Sequence, residues 1–344
     1  MRVTLVTLGD LGRFRNLRTA QARALLSPWE ASGELLQLIA RDVDGASIHA
    51  REVRSALPGG RLVPQGLHAL DRLGLLRTHD TILRLFDTGA ARALRPSDAV
   101  LLHPFPLPRT AARAKSLGAV VVGWGATAHP AFMARAYAAE RKRQGLDGSG
   151  IPPHAYAGLA AALSSLDVLL VPSLFAAQTY AAAGFPKDRL VTVAPGIDTE
   201  RFSPPPIPPP KHPLRVVSVA HWTLLKGLPD LLDAWERAAP ADAVLEIVGS
   251  RDREVRQLCR RRRVPPTVRF FGATDPRNQY HRAHLFVLPS LSEGSSRAVG
   301  EAAAAGLPLL ATTASGVDHL VTPETGLLVP PSDPAALAAG LTTL

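Results

Sequence analysis

Short apolar runs punctuate the first half of the chain at Val3–Leu8, Leu35–Ala40, Ala99–His103, Ala119–Gly123, Asp167–Val171 and Leu190–Ala194. Most are separated by segments long enough for a helix, which is the pattern of a parallel sheet. The alternation restarts at Arg215–Val219, Val244–Val248, Val268–Phe271, Leu285–Leu288, Leu309–Thr312 and Leu327–Val329, with helical stretches such as Gly227–Ala239 between them. Between the halves, Ser203 to Pro213 reads Ser-Pro-Pro-Pro-Ile-Pro-Pro-Pro-Lys-His-Pro. Most of these residues lack a backbone donor, so the segment holds neither ladder nor helix and reads as a linker. The pattern predicts two Rossmann-like α/β domains, residues 1–205 and 206–344, facing each other across a cleft. Ligands of open α/β sheets bind at the C-terminal ends of the strands, so function is expected in that cleft.

Length agrees, since 344 residues exceed what one core ordinarily organises. A single Cys excludes a disulfide framework and any Cys-based zinc site, which suits a reducing compartment. The opening apolar run is too short for a signal peptide, and no later run is long enough to span a bilayer. A cytoplasmic protein is expected. Lys and Arg total 39 against 29 Asp and Glu, a formal net charge of +10, which favours an anionic partner. The basic clusters Arg13/Arg15/Arg18, Arg141-Lys142-Arg143 and Arg260 to Arg263 read either as a solvated face or as peripheral attraction to the anionic inner face of the cell membrane. Nucleic acid is not expected, because no aromatic stacking platform accompanies the charge.

The most informative segment runs from Ala283 to Thr312. A buried strand ends at Pro289, a small-residue loop follows, and a helix begins near Ser296. Free amides at that helix start, with Gly294 permitting close approach, suit a diphosphate. Glu293 and Glu301 flank the loop about 12 Å apart if most of the stretch is helical. That spacing is too wide for a shared catalytic dyad but matches a nucleotide sugar, with one carboxylate for each hydroxyl-bearing ring. A solvated helix residue and a charge favoured by the helix dipole would read the same way.

These residues resemble the donor-binding region of the retaining glycosyltransferases of family 4, whose signature is Glu, seven residues, Glu after a strand ending in Pro-Ser. Lys226-Gly227, Val248-Gly249, Phe271-Gly272, Tyr280, Ala283 and Gly326 to Val329 follow in the family's order, as do Asp167 to Ser173 and Val193 to Asp198 earlier. The resemblance implies the GT-B fold, a nucleotide diphosphate sugar as donor substrate, no cofactor and no metal. The reaction implied is transfer of a hexose with retention to a glycan or lipid-linked hydroxyl acceptor. It assigns catalysis to Glu293, Lys226 and His129, the last in the loop after Ala119–Gly123. It assigns donor binding to Glu301, His221, Gly294, Ser295, Ser296, Arg297 and Gly12.

The chain departs from the family pattern in several places. Ala220-His221 stands where Gly-Arg is usual, Gly9 to Arg13 lacks the usual Gly-Gly pair, and Asp318 stands for a Glu. The sequence stops at Leu344 inside the helix predicted near Pro334, where family members continue with a helix returning to the first domain, so either the end is trimmed or a short or absent crossover helix is expected. A non-catalytic nucleotide-sugar-binding module, or an epimerase or phosphorylase on the same fold, are the alternative readings.

Overall fold

The computed structural model describes residues 1–11, 31–43, 50, 52–56, 78–103, 107–146, 159–240 and 242–344. The first sheet contains β1 (Val3–Leu11), β2 (Leu35–Val43), β3 (Glu52–Ser55), β4 (Ala99–His103), β5 (Val120–Trp124), β6 (Val168–Val171) and β7 (Leu190–Thr192), in the order β3-β2-β1-β4-β5-β6-β7. Along the same stretch of chain run the helices α1 (Thr78–Ala93), α2 (Pro108–Ser116), α3 (Pro130–Arg143), α4 (Leu159–Ser164) and α5 (Leu174–Ala182).

The second sheet contains β8 (Leu214–Val219), β9 (Ala243–Val248), β10 (Val268–Phe271), β11 (Leu285–Leu288), β12 (Leu309–Thr312) and β13 (Gly326–Val329), in the order β10-β9-β8-β11-β12-β13. Between them run α6 (Leu228–Ala238), α7 (Arg253–Arg261), the short α8 (Arg277–Tyr280) and α9 (Arg297–Ala304), and α10 (Pro334–Thr343) follows β13. Every pairing in this sheet is parallel.

Burial explains why the second sheet reads so cleanly from sequence. All four residues of β11 are buried. Leu285 and Val287 join Trp222, Leu231 and Trp235 in one core, while Phe286 and Leu288 join Tyr280, Val299 and Phe202 in another. A strand covered on both faces gains from apolar residues at every position, roughly 1.5–3 kcal/mol for each large side chain, so it appears as an unbroken run.

Two features of the first sheet differ from expectation. The strand announced by the run Val3–Leu8 continues through Gly9, Asp10 and Leu11, because a register shift after Thr7 lets Asp10 and Leu11 pair with Asp42 and Val43. The edge strand β3, Glu-Val-Arg-Ser, has no apolar run to announce it and is held by backbone pairing to β2.

The chain forms two compact units that do not follow the linker alone. One comprises residues 1–125, 154–170 and 188–191, and the other residues 126–153, 171–187 and 192–344. Thus α3 and α5 belong to the unit that holds the second sheet.

Candidate functional site

The order of the second sheet reverses at β8 and β11, which lie side by side while the chain after β8 goes on to β9. Such a reversal opens a crevice beyond the C-terminal strand ends. From β8 come Ala220, His221 and the turn Leu224–Lys226. From β11 comes the loop Pro289 to Ser296.

Gly227 adopts φ +67, and a Cβ there would lie 2.0 Å from the Pro289 carbonyl oxygen. Only glycine lets the two connections approach this closely. Lys226 Nζ thereby meets Glu293 Oε1. Ser290 Oγ donates to the same carboxylate oxygen at 3.0 Å.

The second connection is tied to its surroundings on three sides. Glu293 N–H donates to the Ala314 carbonyl at 3.0 Å and Ser296 N–H to the Ser315 carbonyl at 3.2 Å. Ser173 Oγ, at the N-cap of α5, donates to the Gly294 carbonyl. Gly316 has φ +64, and a Cβ there would sit 2.2 Å from the same carbonyl oxygen. The Ser296 amide is therefore consumed by the fold, which removes it from the expected anion donors. The Gly294 and Ser295 amides have no acceptor among the described residues.

Glu301 lies one turn into α9 with its side chain 14% exposed. Arg297 Nη2 approaches it at 3.4 Å, and Tyr280 Oη donates to its other oxygen at 3.4 Å. Burial raises the Glu301 pKa above the usual carboxylate range, with Arg297 and the Tyr280 bond acting against it. Tyr280 itself is buried against Phe202 and Phe286 and keeps its proton, its pKa raised by burial first and by Glu301 second.

His129 is buried at the N-cap of α3, where Nδ1 accepts the Ala131 N–H at 3.2 Å and the ring packs edge-on to Tyr180. Burial, and secondarily Arg135, lower its pKa. The ring is thus neutral with its hydrogen on Nε2. The segment that carries it lies beside the other site residues: the Ala126 carbonyl abuts Gly294, and α3 packs against the turn Leu224–Lys226. His221 Nδ1 lies 2.6 Å from Ser250 Oγ at the ends of β8 and β9. Gly12 lies outside the described residues.

The structure thus brings Lys226 to Glu293 and Arg297 to Glu301, and sets His129 on an adjoining segment. Sequence reasoning missed Ser173, Ser290, Tyr280 and Gly316 as the groups that position them. Ser173 and Ser290 follow Pro at two strand ends, the one signal available.

The cluster Arg141-Lys142-Arg143 is mostly internal: Arg141 pairs with Glu254, and Arg143 with Glu140 and Asp230, so two of its three charges are spent inside the unit. An Asp-x-Asp spacing, Asp42-Val43-Asp44, escaped the metal-free reading of the sequence. Asp42 lies in β2 of the first sheet, and Asp44 lies outside the described residues.

Comparison with known proteins follows this division. The solved structure of HepE from Anabaena, in complex with UDP and glucose, superposes with a TM-score of 0.65 over 100% of this chain and 89% of that one, at 15% identity. The lipopolysaccharide outer core galactosyltransferase WaaB superposes with a TM-score of 0.68 over 99% of this chain and 89% of that one, at 16% identity. The fold is therefore that of GT-B glycosyltransferase structures, two parallel-sheet Rossmann-like α/β domains. WcaL of Escherichia coli, assigned by name to colanic acid biosynthesis as a glycosyltransferase, is 31% identical over 172 residues, 46% of this chain and 42% of WcaL. The match thus spans less than half the length of that relative. Residues 213–344, which hold Lys226, Glu293 and Glu301, match the family model described as glycosyl transferases group 1.

Proposed function

We propose that the protein is a retaining glycosyltransferase that moves a hexose from a nucleotide diphosphate sugar to a hydroxyl of a glycan or lipid-linked acceptor, without a metal ion. The observation that carries this reading is the cation of Lys226 set against Glu293 at the order reversal of the second sheet, beside the free amides of Gly294 and Ser295. The family match of residues 213–344 supports it.

In this reading Lys226 and the two amides neutralise the diphosphate as the bond from the sugar C1 breaks, where a fixed cation stabilises the developing charge. Glu293 accepts hydrogen bonds from sugar hydroxyls and Glu301 from the ribose. His129 donates from Nε2 to the sugar. The acceptor oxygen bonds to C1 from the face the diphosphate leaves, and its proton passes to the departing phosphate oxygen. Such donors are made in the cytoplasm, where we place the protein. Among the described residues no helix is long and apolar enough to cross a membrane.

The test is thermal stabilisation of the purified protein by a panel of nucleoside diphosphates and their sugars, with Glu301→Ala and Lys226→Ala in parallel. A shift with one nucleotide, reduced in both variants, supports the reading and identifies the donor for an acceptor screen. No shift with any of them overturns it.

A further inference from the structure

Ser173 caps α5 and holds the loop after β11 with one hydroxyl. The residue is extended and buried, and its Oγ accepts the Ala176 N–H at 3.1 Å. That bond uses a lone pair and leaves the single O–H hydrogen to donate elsewhere. It goes to the Gly294 carbonyl, 121 residues further along the chain. Ala126, Pro172, Ser173, Gly294 and Gly316 all belong to the unit that holds the second sheet.

Without that bond the peptide joining Gly294 to Ser295 would have a choice of direction, because a glycine before it places no Cβ in the way of its turning over. The glycine is itself imposed by crowding: a Cβ at position 294 would lie 2.2 Å from the Ala126 carbonyl oxygen and 2.9 Å from Pro172 Cγ. Gly316 makes room for the carbonyl, since a Cβ there would sit 2.2 Å from the Gly294 oxygen and 2.7 Å from Ser173 Oγ. On either side the loop is tied by its amides, Glu293 N–H to the Ala314 carbonyl and Ser296 N–H to the Ser315 carbonyl. The two amides between, those of Gly294 and Ser295, have no such partner among the described residues. A planar trans peptide points its C=O and N–H to opposite sides. With the carbonyl turned to Ser173, the Ser295 N–H therefore points away from α5. Successive unpaired N–H groups favour an anion, whereas a carbonyl turned over would place the negative end of its dipole in the same position.

Resting on the nucleotide-sugar reading, we propose that Ser173 is a positioning residue for the transfer: its hydroxyl fixes the Gly294-Ser295 peptide with the amide, not the carbonyl, facing the diphosphate. Ser173 does not touch the donor. It acts through the Ser295 N–H, which donates to the terminal phosphate of the nucleoside diphosphate, and so sets how firmly the leaving group is held.

Calorimetric titration with UDP, GDP and ADP, each beside its nucleoside monophosphate, tests this in the wild type and in Ser173→Gly. Glycine is nearly as good an N-cap as serine, so α5 keeps its start while the hydroxyl is lost. The wild type should prefer one of the diphosphates to its monophosphate. Ser173→Gly should reduce that preference by about tenfold, the worth of one hydrogen bond to a charged group, while affinity for the monophosphate changes by less than about twofold. Ser173→Cys, close to serine in size with a weak S–H donor, should lose part of the preference and replaces the glycine variant if that one does not fold.

An undiminished preference in Ser173→Gly or, where that variant does not fold, in Ser173→Cys overturns the inference and leaves the nucleotide-sugar reading standing. Equal weakening of monophosphate and diphosphate does the same and assigns Ser173 to packing of the loop, as does a wild type that binds both equally. A wild type that binds none of the nucleotides overturns both.

Discussion

The Lys226 ammonium and the Glu293 carboxylate form an ion pair that joins the turn after β8 to the loop after β11. A diphosphate arriving at Lys226 competes with Glu293 for the same cation. Glu293→Gln removes the competitor and keeps its size. The variant should bind a nucleoside diphosphate without sugar several-fold more tightly than the wild type, while transfer falls by at least about a hundredfold. Titration calorimetry beside an activity assay reads both. Equal weakening of nucleotide and sugar nucleotide would assign Glu293 to loop shape alone.

Gly227→Ala tests the close approach behind that pair. The methyl would enter at 2.0 Å from the Pro289 carbonyl oxygen in a backbone region that L residues avoid. Strain of this kind costs about 1–3 kcal/mol, and the clash adds to it. A lowered denaturation midpoint with loss of nucleotide binding is expected. Full stability would show that the turn yields without cost.

Arg143 bridges two buried acids, Glu140 and Asp230, whose side chains are 1% and 2% exposed. Burial raises the Glu140 pKa despite the Arg143 contact. With the folded pKa above the unfolded one, the folded state holds the proton more tightly between the two values, and stability declines as pH rises through that window. Arg143→Ala should cost roughly 3 kcal/mol at neutral pH, the low end for a broken buried pair because the guanidinium is partly exposed. The loss should shrink in mild acid as Glu140 protonates. Urea denaturation at the two pH values measures the difference, and a loss independent of pH would argue for packing instead.

His129 holds a structural role and a proposed chemical one, and substitution separates them. Asn keeps an N-cap oxygen, so His129→Asn should fold with near wild-type stability, whereas His129→Ala should lose about 1 kcal/mol. Both should transfer sugar at least about tenfold more slowly if Nε2 donates to the donor sugar. Wild-type turnover in His129→Asn would confine the residue to capping.

What the sequence announced and what it withheld differ for physical reasons. The six strands of the second sheet are legible to within a residue because apolar side chains predominate in each, and in β9, β11 and β12 every position is buried. β3 carries Glu, Arg and Ser at the edge of the first sheet, where backbone pairing suffices. Lys226 and Glu293 are legible as chemistry because Gly and Pro punctuate the loops that hold them, and Glu301 because it follows Glu293 at a fixed spacing inside the next helix. Their pairing is not legible: Lys226 meets Glu293 only because strands distant in sequence lie side by side. The same holds for Tyr280 under Glu301 and Ser173 on Gly294. Each contact joins segments whose meeting depends on the completed sheet.

The unit that contains the second sheet is assembled from three stretches of chain, 126–153, 171–187 and 192–344, with stretches of the other unit between them. The two units are therefore not cassettes that recombination could exchange at the proline-rich segment. A fragment starting at residue 206 would lack α3, its buried Glu140, and the Ser173 hydroxyl that binds Gly294. During synthesis that unit has most of its parts in hand only late: its first helix meets α5 early, through Phe132 and Phe175, but Arg143 must wait for α6 to supply Asp230.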